Sequence, residues 1–394
     1  MPEVDEQFMR TALDCARQGR GSVEPNPMVA ALLVREGVEL SRGWHRRFGG
    51  PHAEIECLSA ARAAGVDPRG STMYVTLEPC CGFAGKKTPP CADAIVAAGI
   101  ARVVTPMADA DPNVSGRGIE MLRKTGVEVT IGVCEAEARE LLAAYVKLRT
   151  TGRPWVICKW AQTREGFLAL ASAAGGPGAN DRWISGDSSR AYAHQLRGLC
   201  DGICVGIGTV LADDPLLTNR SGKGRQPVRV VLDSQLRIPL DSRLARTSRE
   251  SPTIVATTME TAAAKPQAVK ELSENGVDIL ELAAGARGLD LGALLDALGR
   301  RQWTYLLVEG GAKVLESFVL GGLADELMVF VSPRHVGRPE RGLPRFDIAR
   351  VRDRVKMAEV EERRFGDDVM MRFVRRESPG SQVPKCPTTR RRTQ

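Results

Sequence analysis

Four residues in the first quarter of the chain are of the types that bind a metal ion and transfer a proton: His52, Glu54, Cys80 and Cys91. One imidazole and two thiolates supply three zinc ligands, whereas a structural zinc site usually fills all four positions with Cys or His. The open position can hold a water molecule, which loses a proton near neutral pH when zinc binds it. In zinc sites that release ammonia from a base, the carboxylate two residues after the histidine is not a ligand but carries the proton. Glu54 fits that role, so the pattern predicts hydrolytic zinc chemistry.

The neighbouring residues favour this metal site over the alternative, in which the sulfurs are ordinary buried thiols. A proline precedes each cysteine and restricts the backbone just before the sulfur. Cys91 begins an apolar-periodic run, 92–98, so its sulfur should lie at a helix start, where exposed N–H groups favour a thiolate. His52 likewise precedes a helical run, 53–64, with Glu54 in its first turn.

Helical and strand-like patterns alternate through the first 150 residues. The predicted helices cover 4–18, 53–64 and 135–148, and the predicted strands cover 28–34, 73–77, 101–107 and 127–133. Strands that alternate with helices indicate an α/β sheet covered on both faces. The metal-site residues fall at junctions between these elements, and the Gly and Pro of 149–154 mark a link to a second domain.

A second α/β series follows the link. Its predicted strands cover 155–160, 202–206, 228–232, 253–257, 305–308 and 326–331, before a terminal strand pair at 356–361 and 368–374. Two strands end in glycine-rich turns, 206–210 and 308–311, which allow close backbone approach and can offer N–H groups to a phosphate. Such turns are also common for structural reasons alone, and neither is a dinucleotide fingerprint. Two of them in one domain still predict a nucleotide cleft, and the Ala- and Gly-rich stretch 169–180 is predicted to be a surface loop.

Length and composition limit the class of protein. The chain has 394 residues, 43% hydrophobic and 26% charged, which is typical of two or three soluble domains. No apolar run approaches the ~18 residues of a membrane helix and the N-terminus is acidic, so we expect a cytoplasmic protein with no membrane association. The 10 cysteines are too few for a disulfide framework, which agrees with thiolate ligands in a reducing compartment.

The net charge of +7 is modest and partly local. Arg390, Arg391 and Arg392 lie in a Ser-, Pro- and Thr-rich final segment that is predicted to be a disordered tail. Elsewhere basic residues alternate with acidic ones, and no aromatic–basic stacking stripe is visible, which opposes a nucleic-acid surface. Anionic small molecules explain the charge better. The alternative function from another class is a nucleic-acid-binding protein, for example a polynucleotide deaminase whose second half is a recognition module.

The series of motifs resembles the bifunctional riboflavin-biosynthesis deaminase/reductase family up to about residue 376. The matching stretches of the first half are 25–27 (Pro-Asn-Pro), 52–54 (His-Ala-Glu), 77–80 (Leu-Glu-Pro-Cys), 88–91 (Thr-Pro-Pro-Cys) and 116–118 (Gly-Arg-Gly). Those of the second half are Lys159, 183–185, 196–197, 208–218, 231–234, 308–311 and 325–327. The long gap between the two cysteines distinguishes this family from transfer-RNA adenosine and cytidine deaminases, which separate theirs by only two residues.

The resemblance implies a cytidine-deaminase-like α/β/α domain over 1–150, a dihydrofolate-reductase-like α/β domain over 151–376 and a basic tail over 377–394. The first domain would deaminate 2,5-diamino-6-ribosylamino-4(3H)-pyrimidinone 5′-phosphate with zinc. The second would then reduce the ribosyl group to a ribityl chain with NADPH. We also expect a homo-oligomer.

The resemblance also implies site residues in the second domain. The implied cofactor contacts are Ala161, Trp183, Thr209, Asp213, Ser234 and Gly311. The implied substrate contacts are Asp181, Arg197, Leu217, Arg220 and Glu309. Arg197 and Arg220 suit a phosphate because a planar guanidinium can bind two oxygens at once. Without the motifs around them, both would be read as ordinary solvated arginines.

Two stretches depart from the family's pattern. Two additional residues lie between Cys80 and Cys91, and Gly82 stands where a histidine is common. The family's Asp-Gly-basic stretch after Lys159 reads Glu-Gly-Phe at 165–167. The second departure leaves an alternative open, which is an enzyme that only deaminates and whose second domain binds a nucleotide without reducing anything.

Overall fold

The computed structural model describes residues 2–82, 89–168, 183–285, 288–335, 344–352 and 354–375. The chain divides into two compact units between Gly152 and Arg153. The predicted loop at 169–180, the implied substrate contact Asp181 and the predicted tail at 377–394 lie outside the described residues. None of the helices in the described ranges is long and apolar enough to span a membrane.

The first unit combines helices with one sheet. Its helices are α1 (Pro2–Ala16), α2 (Ala53–Ala63), α3 (Cys91–Ala97), α4 (Arg117–Lys124) and α5 (Glu135–Thr151). Its strands are β1 (Ala30–Arg35), β2 (Val38–Trp44), β3 (Thr72–Val75), β4 (Arg102–Thr105) and β5 (Glu128–Ile131). The strand order is β2-β1-β3-β4-β5, in which β1 is antiparallel to both neighbours and β3, β4 and β5 are parallel.

Helices cover both faces of this sheet, which confirms the prediction from the alternating patterns. Leu32 of β1 belongs to a core cluster with Leu13 of α1 and with residues of α5. The next residue, Leu33, belongs to a cluster on the other face with Cys57 of α2 and Ile95 of α3. Successive side chains of a strand point to opposite faces. The helices that begin beside His52 and at Cys91 therefore share one face of the sheet.

The sequence patterns predict neither β2 nor α4. Strand β2 is an edge strand with mostly polar, partly exposed residues, so it lacks an apolar alternation, and its position is set by pairing with β1. Helix α4 is short, and it starts at a glycine cap, Gly116, with φ of 79°. Its apolar side contributes Leu122 to the same core cluster as α2 and α3.

The second unit is a larger α/β assembly. Its helices are α6 (Asp187–Leu199), α7 (Ile207–Asp213), α8 (Arg243–Arg246), α9 (Met259–Ala264), α10 (Pro266–Glu274), α11 (Leu291–Arg300), α12 (Ala312–Val319) and α13 (Ile348–Val351). Its strands are β6 (Trp155–Thr163), β7 (Gly202–Gly206), β8 (Val228–Leu232), β9 (Thr253–Thr258), β10 (Asp278–Leu282), β11 (Ala284–Gly285), β12 (Gly288–Leu289), β13 (Tyr305–Val308), β14 (Glu326–Ser332), β15 (Met357–Phe365) and β16 (Asp368–Arg375).

The main sheet of this unit is largely parallel. Its order is β10-β9-β8-β7-β13-β6-β14-β16-β15, in which β16 is antiparallel to both of its neighbours, β14 and β15, and all other neighbouring pairs are parallel. The predicted bounds of β7, β8 and β13 match the structure to the residue. Parallel strands of this kind bind ligands at their carboxyl ends, and β6, β7 and β13 lie side by side.

Candidate active sites in the two units

His52, Cys80 and Cys91 converge in the first unit. Cys80 Sγ lies 3.5 Å and Cys91 Sγ 3.3 Å from His52 Nδ1, and the three ligand atoms all lie within 4.8 Å of one another. A tetrahedral zinc ion with Zn–S near 2.3 Å and Zn–N near 2.0 Å separates its nitrogen and sulfur ligands by about 3.5 Å. The donor types and their spacing therefore fit a zinc ion held through Nδ1.

Two of these ligands lie at helix starts. His52 is the extended N-cap of α2, and Cys91 is the first residue of α3. The first N–H groups of a helix have no intrahelical partner and favour negative charge. Cys80 comes from the loop after β3 and is bound to the start of α3, because Ala92 N donates to Cys80 O at 3.1 Å and Cys91 N to Cys80 Sγ at 3.4 Å.

The contact between the two sulfurs makes them electrostatically unequal. A hydrogen bond from the Cys91 thiol, with contributions from the His52 ring and the Cys91 N–H, lowers the pKa of Cys80 to about 3. The same contact, together with burial, raises the pKa of Cys91. Since cysteine binds metal ions as the thiolate, the pair would release its remaining proton when the site is filled.

Glu54 is buried beside these ligands, in the first turn of α2. Burial, with a smaller contribution from the Cys80 sulfur, raises the pKa of its carboxyl to about 7. A carboxyl that titrates near neutral pH can both accept and donate a proton under working conditions. Hydrolytic loss of an amino group needs a residue with this property.

A second histidine, His45, is buried and supports the segment that leads into His52. Its Nδ1 lies 2.8 Å from Pro51 O, and its Nε2 lies 3.1 Å from the side-chain nitrogen of Asn26. Its ring meets the His52 ring edge-on with 5.7 Å between centroids. The ring thus joins the Pro-Asn-Pro stretch to the residue before His52.

Glu78, two residues before Cys80, organises the surrounding main chain. Its buried carboxylate accepts hydrogen bonds at 2.8–3.2 Å from the N–H groups of Asp109, Gly116, Gly118 and Ile119. The four bonds hold the segment 109–119 and the start of α4 against the Cys80 loop. Glu78 belongs to the motif at 77–80, but the sequence predicts no role for it, because the amides that it binds come from a different part of the chain.

The Gly-Arg-Gly motif at 116–118 has a steric explanation in the same place. A Cβ on Gly118 would lie 1.9 Å from Pro79 O. No side chain fits between α4 and the residue before Cys80, so glycine is required for this close approach.

A cavity of about 860 Å³ lies in the second unit, lined by residues of β6, α6, α7 and the turn after β13. Its wall includes four implied cofactor contacts: Ala161, Trp183, Thr209 and Asp213. It also includes four implied substrate contacts: Arg197, Leu217, Arg220 and Glu309. Ser234, which follows β8, and Gly311, the N-cap of α12, do not line this cavity. Seven further polar residues of the wall have no role that the sequence predicted: Lys159, Ser185, Asp187, Arg190, His194, Thr218 and Arg243.

The wall of the cavity contains a largely buried ion pair, whose side chains are 15% and 13% exposed. Arg197 donates to Glu309 from Nε to Oε1 at 3.3 Å and from Nη2 to Oε2 at 2.7 Å, and its Nη1 donates to Thr218 O at 3.2 Å. Burial alone would raise the pKa of Glu309, but the charges of Arg197 and Lys159 outweigh it and lower that pKa. Burial lowers the pKa of Lys159. Cationic side chains outnumber carboxylates on this wall, which suits an anionic ligand.

The Glu-Gly-Phe stretch at 165–167 forms a tight turn packed on a later segment. Gly166 has φ of 85°, and a Cβ there would lie 2.5 Å from Asp347 Cβ. Phe167 pairs with Arg345 in an isolated bridge, and the Glu165 carboxylate lies 2.5 Å from His335 Nδ1. The departure from the family's pattern therefore keeps the glycine that the turn requires.

Family descriptions match both units. Residues 2–107 match the "Cytidine and deoxycytidylate deaminase zinc-binding region", and residues 154–371 match the "RibD C-terminal domain". The chain is thus a bifunctional enzyme with a deaminase domain followed by a reductase domain.

Full-length relatives identify the family. The chain is 39% identical over 376 residues to the riboflavin biosynthesis protein RibD of Aquifex aeolicus, covering 95% of this chain and 99% of that protein. It is 35% identical over 385 residues to RibD of Escherichia coli, covering 94% of this chain and 99% of that protein. The chain belongs to the RibD family of riboflavin biosynthesis proteins.

Solved structures agree in fold over 95% of the chain. A structure of Acinetobacter baumannii RibD is 31% identical with a TM-score of 0.79 and covers 95% of this chain and 99% of that chain. A Thermotoga maritima protein, described as a diaminohydroxyphosphoribosylaminopyrimidine deaminase/5-amino-6-(5-phosphoribosylamino)uracil reductase, is 32% identical with a TM-score of 0.78 and the same coverage. Both expected domain folds, deaminase-like and reductase-like, are confirmed.

Proposed function

We propose that this enzyme deaminates 2,5-diamino-6-ribosylamino-4(3H)-pyrimidinone 5′-phosphate and then reduces the ribosyl group of the product to a ribityl chain. The convergence of His52, Cys80 and Cys91 beside buried Glu54 carries the first half of the proposal. The description of the T. maritima relative names the same pair of activities.

His52 Nδ1, Cys80 Sγ and Cys91 Sγ would hold zinc, and three ligands leave one position open for water. Zinc bound there supplies acidity, because it lowers the pKa of a bound water to near neutral. Glu54 takes the proton from the attacking water and delivers it to the amino group that leaves as ammonia. Its burial keeps bulk water from competing for that proton.

The cavity of the second unit would bind the deaminated product and NADPH. The cofactor supplies a hydride. Cofactor contacts would come from Ala161, Trp183, Thr209, Asp213, Ser234 and Gly311, and substrate contacts from Asp181, Arg197, Leu217, Arg220 and Glu309. The guanidinium of Arg220 is suited to the substrate phosphate, whereas Arg197 and Glu309 are engaged with each other and shape the wall. Lys159 lines the wall and would donate hydrogen bonds to sugar hydroxyls.

We assign the deaminase to residues 1–150, the reductase to 151–376 and a basic tail to 377–394. Thiolate ligands support a reducing compartment such as the cytoplasm. A homo-oligomer stays a prediction, which light scattering on the purified chain would measure.

The test is turnover by the purified full chain with bound metal measured in parallel. We expect about one zinc per chain, ammonia release from the diaminopyrimidine phosphate, and NADPH oxidation that requires the deaminated intermediate. A chelator that strips the zinc should abolish ammonia release and leave NADPH oxidation intact when the intermediate is supplied directly. Ammonia release without intermediate-dependent NADPH oxidation would instead identify an enzyme that only deaminates.

A further inference from the structure

His194 joins two substrate-facing parts of the reductase cavity. It lies on α6, one turn before Arg197, and lines the cavity. Its Nε2 lies 3.2 Å from Arg220 Nε and 2.9 Å from Arg220 Nη2. On the other side of the ring, Nδ1 lies 3.2 Å from Thr218 O and 3.3 Å from Arg220 N.

These contacts determine the protonation state of the ring. A guanidinium has only N–H donors, so Nε2 must accept from Arg220 and cannot carry a proton. A neutral ring then carries its proton on Nδ1, which donates to the carbonyl of Thr218 rather than accepting from Arg220 N. A doubly protonated ring would present N–H against N–H and would place a second positive charge beside the guanidinium.

The chain of contacts continues into the buried ion pair. Thr218 O, which accepts from His194, also accepts from Arg197 Nη1 at 3.2 Å, and Arg197 binds Glu309. His194 therefore couples Arg220, which is exposed at the cavity wall, to a pair with little solvent contact. Among the described residues, only the His194 ring accepts a hydrogen bond from the Arg220 guanidinium.

We propose that His194 is a positioning residue of the reductase, whose neutral Nδ1–H ring holds the Arg220 guanidinium in place for the phosphate of the substrate. The proposal rests on the role that the proposed function gives to Arg220. It predicts that His194 affects the KM for the phosphorylated intermediate and leaves the KM for NADPH and kcat unchanged.

The charges around the ring keep it neutral at neutral pH. Burial lowers the pKa of His194, and Arg197 on α6 and Arg220 on the facing loop lower it further, against smaller opposing effects of the Thr218 carbonyl and of Glu309. Lys159 on β6 also lines this cavity. The arrangement is therefore intact above pH ~6.5, the ordinary histidine value. Acidification below the lowered pKa protonates Nε2 and releases Arg220.

The experiment compares three substitutions in the full-length enzyme. His194→Gln keeps an acceptor near the position of Nε2, His194→Asn keeps only a donor near Nδ1, and His194→Leu keeps neither. We expect the KM for the intermediate to rise about tenfold in the Asn and Leu variants and to stay within about twofold in the Gln variant. Gln195→Leu, at the exposed neighbouring position of α6, is the matched control and should behave as the wild type. An unchanged KM for NADPH shows that the domain is folded.

Arg220→Ala separates this inference from the proposed function. If that variant raises the KM, adding His194→Leu to it should have no further effect, because the group that His194 positions is gone. An equal rise in the KM for the intermediate in the Gln and Leu variants would overturn the role of His194 and leave that of Arg220 standing. A full tenfold rise on adding His194→Leu to Arg220→Ala would do the same. An unchanged KM in Arg220→Ala overturns the phosphate role of Arg220 and the inference with it.

The pH profile supplies a readout that a purely structural role would not affect. As the pH falls below the lowered pKa of the His194 ring, which is under ~6.5, the wild-type KM should rise more steeply than that of His194→Gln, which has no titrating ring at this position. The comparison cancels titration of the substrate phosphate, since both enzymes bind the same substrate. Superimposable profiles would contradict the proposal.

Discussion

The metal cluster of the deaminase domain and the cavity of the reductase domain position their chemical groups in different ways. In the first, His52 and Cys91 lie at helix starts, and Glu78 binds four main-chain N–H groups behind Cys80. In the second, side chains from separate elements pair with each other, as Arg197 does with Glu309. The backbone positions the deaminase groups, whereas charge pairing positions the reductase groups. Substitutions should therefore act on the two activities independently.

The largest expected effect is that of Glu54→Gln. Loss of the proton carrier should lower kcat for deamination by about 10³-fold, within the usual range for general acid–base catalysis. Zinc content and NADPH oxidation on supplied intermediate should be unchanged. Glu56→Gln, in the same helix turn but partly exposed beside Arg46, is the matched control. Deamination at the wild-type rate in Glu54→Gln would remove this residue from the mechanism.

The next effect is on the reductase side, where Arg197→Ala leaves the Glu309 carboxylate buried without its main partner. Breaking a buried pair in this way costs about 3–5 kcal/mol. Denaturant unfolding of the second domain would measure the loss. Arg301→Ala removes a pair of the same length, 2.7 Å to Asp278, whose side chains are 40% and 49% exposed. This control should cost at most about 1 kcal/mol, and equal losses in the two variants would show that burial of the Arg197 pair does not matter.

A smaller effect is expected for Glu78→Gln, which replaces one acceptor oxygen by an N–H₂ group that faces main-chain donors. Supporting residues of this kind typically change metal affinity about 10–100-fold. Competition with a chromogenic chelator should show weaker zinc binding, and ammonia release should recover at high zinc concentration. Glu120→Gln, on exposed α4 surface with Lys124 as partner, should leave affinity unchanged. Wild-type zinc affinity in Glu78→Gln would mean that the ligands do not depend on this network.

The last effect concerns folding stability and Asp109, and it appears only as a dependence on pH. Burial raises the pKa of this carboxyl from the ordinary 3.8 to about 6, although Tyr145 Oη donates to it at 2.8 Å. The folded state keeps the proton to higher pH than the unfolded state, so the stabilisation is present below pH 3.8 and is lost as pH rises through 6. Relative to Asp109→Asn, the wild type should lose about 3 kcal/mol across this window, since one pKa unit corresponds to about 1.4 kcal/mol. A difference between the two proteins that does not vary with pH would contradict the burial argument.

Much of the fold near the sites could be predicted from local pattern. The starts of α2 and α3, and the full extents of β7, β8 and β13, follow from apolar periodicity and from Pro and Gly punctuation. Strand β15 runs to Phe365, beyond the predicted end at 361, because its pairing with β16 continues through charged, exposed residues that show no apolar alternation. Pairing with a neighbour, not the residues of the strand alone, decides such an extent.

The sequence by itself determined the ligand types, the helix starts that present them and the α/β class of both domains, since capping and periodicity act over a few residues. Only the tertiary structure decided which distant groups meet. Glu309 and Arg197 are 112 positions apart, and Glu78 and Gly118 are 40 apart. Strand order and helix packing bring such residues together, and the local sequence pattern does not predict which distant residues will be in contact. For the same reason the glycine-rich turns could be recognised in the sequence, but only the fold showed that Thr209 lines the cavity and Gly311 does not.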